Sequence, residues 1–206
     1  MKISELSELS GVPVATVKFY IREGMLARGE ALSATRAEYG DEHVARLRLI
    51  AALADVRGLP LARVREVLAL IDAPLDDAVE TLGRAVGALP PYVDGGKEDY
   101  PRARKAIAEL GLTYDADFTA VAQLDEALRA LGAAGLDASP AALARYGAAM
   151  RQVAAAEVAP MAGMSPSEAV TYAVLGTAMY EPVMLALRRL AHHHLLAERT
   201  ANDPVG

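Results

Sequence analysis

Residues Ile3 to Leu26 read ISELSELSGVPVATVKFYIREGML, and the spacing of apolar residues in this stretch decides the fold. Ile3, Leu6 and Leu9 form the inward stripe of a predicted first helix. Gly11 is placed to end it in the left-handed conformation that only glycine adopts cheaply. Pro13, with its fixed φ, suits the first position of a second helix. Val14, Val17 and Ile21 recur at three and four residues, so they turn inward and leave Thr16, Lys18, Tyr20 and Arg22 toward solvent. A hydroxyl, two cations and a phenol on one exposed face suit phosphate and base-edge contacts. Helix pairs of this kind also occur in bundles with no nucleic-acid role, so the flanking sequence has to separate the two readings.

The downstream residues favour a DNA reader. Gly24 closes the second helix, Met25 and Leu26 return to the core, and Ala27 to Gly40 (ARGEALSATRAEYG) lacks a helical period. This segment holds Arg28 and Arg36, small residues from Ser33 to Thr35, and Tyr39, the composition of a wing. Gly40, Asp41 and Glu42 open a third helix whose acidic first turn complements the macrodipole. Its inward face is Val44, Leu47, Ile50, Leu53 and Ala54, and Gly58 ends it. Pro60 then starts a fourth helix with Val64, Val67, Leu68 and Ile71 inward. Arg57, Arg63 and Arg65 cluster at this junction, either as solvated surface or as phosphate contacts.

In the order of these elements, residues 1 to about 72 resemble the DNA-binding domain of the MerR family of transcriptional regulators. The resemblance rests on TVKFY (Thr16 to Tyr20), EGML (Glu23 to Leu26), the wing with Arg36 before Tyr39, and the two helices that follow. It departs from the family at Lys18, where Arg is usual, at Phe19, which replaces the first of two tyrosines, and in the Arg36 to Tyr39 spacing, longer by one. Lysine neutralises a phosphate without the planar bidentate fork of arginine. The resemblance implies DNA contacts by Thr16, Lys18, Phe19, Tyr20, Arg22, Arg28, Arg36 and Tyr39. It further implies a homodimer on pseudo-palindromic promoter DNA, distortion of that DNA so that RNA polymerase engages indirectly, and a fourth helix whose N-terminus approaches the backbone.

After Ala73-Pro74, Leu75, Val79, Leu82, Val86 and Leu89 alternate at four and three residues, the period that wraps one helix against another, and Pro90-Pro91 stops the run. So short a stripe either forms a dimer seam or packs within its own subunit; the resemblance favours the seam. The expected organisation is a winged helix-turn-helix domain over 1–72, a dimerisation helix over 73–91 and a helical effector-binding domain over 92–206. The fold class is all-α with a small β wing.

Beyond residue 92 the pattern is helical, with no strand of convincing period two. Ala103, Ile107 and Leu110 mark one helix, and Val121, Leu124, Leu128 and Leu131 another, ended by Gly132. Ser139-Pro140 opens a third with Leu143, Tyr146, Met150 and Val153 inward. Ser165-Pro166-Ser167-Glu168 is a capping box that starts a long helix, which Pro182 is expected to kink or break. Tyr146, Met150, Tyr172, Met179, Tyr180, Glu181 and Met184 supply adaptable side chains for a small organic effector, or an ordinary core. Glu181 either meets a cationic ligand or pairs with Arg188 or Arg189 around the kink. Consecutive side chains His192 to His194 point about 100° apart and cannot share a metal ion.

Cysteine is absent from the 206 residues, which removes thiolate metal sites and disulfides. No cofactor or metal is expected. No phosphate loop, nucleophile elbow or zincin helix occurs, so enzymatic readings find no support. The uncharged run Ala169 to Tyr180 is too short for a bilayer, and no signal pattern precedes the first helix, so a cytoplasmic protein without membrane partners is expected. Residues 1–72 hold ten Lys or Arg and ten Asp or Glu, and the net charge of −6 belongs to the rest. The cations near the reading helix are local, which predicts a modest salt slope. The rival reading is a ligand-sequestering protein whose DNA binding only autoregulates its synthesis.

Overall fold

The computed structural model describes residues 1–33, 36–93 and 99–202. Helices α1 (Ile3–Ser10) and α2 (Val14–Arg22) are followed by an antiparallel pair, β1 (Glu30–Ser33) and β2 (Arg36–Glu38). Then come α3 (Asp41–Ala51), continued as a π turn over Ala52–Val56, and α4 (Leu61–Asp72). The remainder is α5 (Ala78–Gly87), α6 (Pro101–Glu109), α7 (Thr119–Ala133), α8 (Pro140–Val158), a 3-10 turn (Ala159–Met161) and α9 (Pro166–Asn202).

The helix-turn-helix forms as the apolar spacing dictates. Gly11 ends α1 at φ 72°, and Gly24 and Gly58 take the same left-handed conformation after α2 and the π turn. Pro13 and Pro60 sit one position earlier than expected, as N-caps of α2 and α4. Leu6, Val17, Leu47, Ile50, Leu53, Val64 and Val67 are fully buried. Leu9 is a correction, being exposed. A run at constant spacing of three drifts about 60° per step around a 3.6-residue helix, so Ile3, Leu6 and Leu9 cannot share one face.

The segment expected as one dimerisation helix over 73–91 is shorter and partly internal. Asp77 accepts hydrogen bonds from the amides of Val79 (2.7 Å) and Glu80 (3.2 Å), which sets the N-terminus of α5. Buried Thr81 donates to the Asp77 carbonyl (2.8 Å) and accepts from the Leu75 amide (3.0 Å), holding Leu75 off the helix. Leu89 follows the helix and is buried in the subunit's own core, while Val79 is 78% exposed. The five residues therefore do not form one helical seam.

Two hydrophobic clusters organise the chain. The larger joins the helix-turn-helix, α3 and α4 to Ala85, Ala88 and Leu89, and also to Val170, Val174 and Ala178 of α9. The first half of α9 is thus part of the same core as the first 72 residues, although it lies in the segment expected as a separate domain. The smaller cluster gathers Tyr100, Ala103, Ile107, Val121 and Ala122 of the α6–α7 hairpin. There buried Asp125 on α7 accepts from the amides of Arg102 (2.9 Å) and Ala103 (3.1 Å), satisfying orphan donors at the start of α6.

Two further expectations are corrected in the last helices. α8 buries only Ala142, and Tyr146 and Met150, expected inward, are exposed. α9 begins at the expected capping box, with Glu168 accepting from the Ser165 amide at 2.8 Å. It then runs without a break through Pro182. One proline removes a single intrahelical donor, and the turns on either side keep theirs. By length and composition Pro166–Thr200 is apolar enough to cross a membrane, although only 17% of its most apolar window is buried. The residues before Ala178 contribute to the protein core, however, and the exposed remainder carries adjacent Arg188 and Arg189, costly at a bilayer centre.

Candidate DNA-binding surface

Helix α2 presents a mixed face. Lys18 and Arg22 are exposed and Thr16 is half-buried. Among the described residues neither Lys18 nor Arg28 makes an ion pair, whereas Arg22 lies over the Phe19 ring at 5.4 Å, with Glu23 3.8 Å from its Nε. Glu23 also bonds Arg65 of α4. Half-buried Phe19 packs against the core and supports the Arg22 stem.

Tyr20 and Tyr39 are not where the sequence reading puts them. Tyr20 is 6% exposed, within the main core, and burial, with a smaller contribution from Asp55, holds its phenol pKa above the ordinary value. Its spacing of three from buried Val17 is the signal for this placement. Tyr39 is also buried, its ring edge-on to His43 at 5.1 Å. Its backbone anchors the chain terminus: its amide donates to the Met1 carbonyl (2.9 Å) and its carbonyl accepts from the terminal ammonium (2.7 Å). Both tyrosines belong to the main hydrophobic core of the chain.

The wing pairs Glu30 with Glu38, Ala31 with Ala37 and Ser33 with Arg36, with a register shift between Ala31 and Ser33. Arg36 starts β2 at the rim; its side chain, with residues 34 and 35, lies outside the described set. Arg28 is exposed at the wing base. Gly29 beside it permits close passage of the strands, since a Cβ there would meet the Glu38 carbonyl oxygen at 2.5 Å.

Arginines that the sequence reading left open, or missed, brace this surface. Arg46 donates through Nε to the Met25 carbonyl (3.0 Å) and pairs with Asp72 (2.6 Å), tying the end of the helix-turn-helix to α3 and α4. Arg48 donates to the Leu9 carbonyl at the end of α1 (3.2 Å). Arg63 pairs with Glu66 (2.8 Å) and lies over the Tyr92 ring at 5.7 Å. Arg57 faces α9 instead. It donates to Glu181 of α9 (2.6 Å), with the Pro90 carbonyl at 3.5 Å. Glu181 therefore pairs with Arg57, not with Arg188 or Arg189. Burial raises its pKa above the usual carboxylate value, and Arg57 opposes that rise.

The residues proposed from sequence for an effector do not collect into one pocket. Tyr146, Met150 and Tyr180 are exposed, Tyr172, Met179 and Met184 are half-buried along α9, and Glu181 is engaged by Arg57. A cavity of about 660 Å³ lies elsewhere, between α5 and the segment joining α6 to α7. Val79, Leu82, Val86 and Phe118 form its apolar walls, with Asp115 and Asp117 at its edge. His192 to His194 are exposed, with His194 3.4 Å from Glu198. No metal-binding group occurs among the described residues.

A helix-turn-helix with an exposed cationic helix face, a two-stranded wing and two bracing helices defines a winged DNA-binding domain. Residues 1–71 match the family model described as MerR HTH family regulatory protein, and this N-terminal domain belongs to the MerR family. The chain is also similar to the crystal structure of a proposed transcriptional regulator, SCO5550 from Streptomyces coelicolor A3(2). The two share 28% identity at a TM-score of 0.73, over 97% of each chain. No curated protein matches the chain. Together these findings identify a DNA-binding regulator of transcription.

Proposed function

We propose that this protein acts as a homodimer on pseudo-palindromic promoter DNA in the cytoplasm, reading each half-site with the exposed face of α2 and gripping the backbone with its wing. The observation that supports this best is the division of labour among the cations. Arg46, Arg48 and Arg57 are spent on internal bonds, while Lys18 and Arg28 are exposed and make no ion pair among the described residues. Lys18, Arg22, Arg28 and Arg36 are the phosphate and base-edge contacts, with Thr16 at the edge of the reading face. Tyr20, Phe19 and Tyr39 act through the packing that positions that face.

Distortion of the promoter, with RNA polymerase responding to it indirectly, fits a reader whose strength lies in a few local cations on a formally neutral domain. An organic effector would occupy the cavity beside α5, whose volume and apolar walls suit a small molecule. It can switch transcription only by binding two protein–DNA states with different affinity. The reading predicts no enzymatic turnover. Selecting genomic fragments bound by the purified chain, then titrating the enriched duplex between 50 and 200 mM salt on the scale where phosphate contacts register, tests it. Equal affinity for random duplexes would refute it.

A further inference from the structure

We infer that the cavity beside α5 takes a hydrophobic organic cation, an amine or quaternary ammonium group carried on an aromatic or branched aliphatic body. The inference rests on the proposal that an effector binds in this cavity, and adds the chemical class of that effector. Val79, Leu82 and Val86 project within about 60° of one another on α5, so they make one apolar wall. Phe118, the N-cap of α7, closes on this wall at Gly83, where a Cβ would lie 3.6 Å from Phe118 Cδ2. Gly87, one turn further, lets Thr119 approach closer still, since a Cβ there would meet its Oγ1 at 2.7 Å. The two glycines thus bring the start of α7 onto the edge of the apolar wall. The space of about 660 Å³ beside them has the size of an ordinary small-molecule site.

The charges around this wall select the sign of the ligand. Among the lining residues, Glu80, Asp115 and Asp117 stand against the single guanidinium of Arg84. Arg84 Nη1 lies 3.7 Å from Glu80 Oε1, so these two offset each other. Asp115 and Asp117 remain; both are exposed, and neither makes an ion pair among the described residues. Asp115 Oδ1 accepts from the Asp117 amide at 3.0 Å and its carbonyl accepts from the Phe118 amide at 3.2 Å, which fixes this turn beside the wall. An anion is not served at the start of α5, because the Asp77 carboxylate already accepts from the Val79 and Glu80 amides. At the start of α7 an anion would meet Asp115 and Asp117. A bare metal ion would leave the apolar wall unused, and a neutral body would leave the two carboxylates unanswered. An apolar body against α5 with its positive head at Asp115 and Asp117 uses both features. Two other cavities differ in this respect. Arg46 and Asp72 pair at the one lined by Gly24 to Ala27, and Arg151 at the one between α6 and α8 is bonded to the Leu110 carbonyl.

Equilibrium dialysis of the full chain against naphthalene probes that differ only in charge tests this. The probes are 2-naphthylmethylamine, a cation at pH 7, the neutral 2-naphthalenemethanol, and the anion 2-naphthoate. Wild type should bind the amine about fivefold to tenfold tighter than the alcohol, the size expected of two screened carboxylates, and the naphthoate weakest. The D115N/D117N variant keeps the Asp115 side-chain acceptor, and should bring the amine within about twofold of the alcohol while leaving the alcohol unmoved. Val79 is 78% exposed, so Val79→Arg should fold as wild type by circular dichroism, and should make the naphthoate the best of the three. An amine that binds no better than the alcohol in wild type, with naphthoate gaining in Val79→Arg, overturns the cation and leaves the cavity as the effector site. Binding of every probe that neither variant changes, or binding of none, overturns the cavity and the cation together.

Discussion

Replacing Arg57 should be far more damaging than neutralising its partner Glu181, although the two share one ion pair. The Arg57 side chain is 14% exposed and that of Glu181 33%, with 2.6 Å between them. Arg57→Ala removes a packed stem and leaves a partly buried carboxylate without its cation. A fully buried pair broken in this way costs about 3–5 kcal/mol. Solvent reaches a third of Glu181, so the expectation is discounted to about 2–3 kcal/mol. Glu181→Gln keeps an acceptor for Arg57 and removes a charge that burial penalises more than Arg57 rewards, so its cost should stay below about 1 kcal/mol. At 2–4 °C per kcal/mol for a chain of this size, Arg57→Ala lowers Tm by about 4–12 °C.

The same pair sets the pH dependence. The folded pKa of Glu181 is raised, so its contribution to stability is fully present below the unfolded carboxylate pKa and is lost as pH rises through the folded value. Removing Arg57 raises that pKa further, so the Arg57→Ala deficit should narrow as pH falls from 7 toward 5. Thermal unfolding followed by circular dichroism at both pH values measures this. The reasoning is refuted if Glu181→Gln costs as much as Arg57→Ala at pH 7, or if the deficit widens on acidification.

The remaining predictions concern the reading head. Tyr20→Ala should destabilise the domain by about 3–5 kcal/mol, as for other large core aromatics, and denaturant melts would show it; a change below 1 kcal/mol would return Tyr20 to the surface. Lys18→Ala and Arg28→Ala should leave Tm within about 1 °C while each reduces the salt slope of operator binding by roughly one, read by fluorescence anisotropy; an unchanged slope would remove that residue from the backbone contacts. Gly29→Ala should loosen the wing, because its Cβ meets backbone that cannot rotate away, and amide exchange in β1 and β2 should accelerate. Glu30→Lys should instead tighten it, by placing opposite charges across the Glu30–Glu38 pair, by about 0.2–1 kcal/mol.

The first 72 residues were largely legible because their core is built from local periodicity. Val17, Leu47, Ile50, Leu53, Val64 and Val67 all announce their burial by spacing, and Gly11, Gly24 and Gly58 announce the turns. Tyr20 and Tyr39 misled because a phenol is compatible with either a wet face or a core, and only packing from other elements decides between them. The α5 stripe failed for a different reason. Its period was real, but Thr81 and Asp77 set a helix start that interrupts it, through bonds no hydrophobic count contains. The Arg57 to Glu181 bond joins residues 124 apart, and nothing local to either side chain signals the other. The exposed arm of α9 was obscured because Pro182 suggested a break at the point where the helix leaves the core.

These placements give the two halves of the long helix different surroundings. Its first half is core to the reading domain, so it cannot shift without disturbing Val174 and Ala178 among the residues that hold α4 and α5. Its second half projects into solvent, with Leu187, Leu190, Leu195 and Leu196 exposed. Helix α5 packs against α4, α7 and α9 and also walls the cavity of about 660 Å³. A ligand there would press on the element lying between the α6–α7 hairpin and the α9 strut. Such a ligand regulates only if α5 has two packed arrangements against α9 that differ in affinity for it, since tight binding to both shifts nothing. The Arg57 to Glu181 pair lies on the same strut, so weakening it should change the response to ligand more than the affinity for ligand. An Arg57→Ala chain that binds ligand normally and still switches its operator complex as wild type does would place the coupling elsewhere.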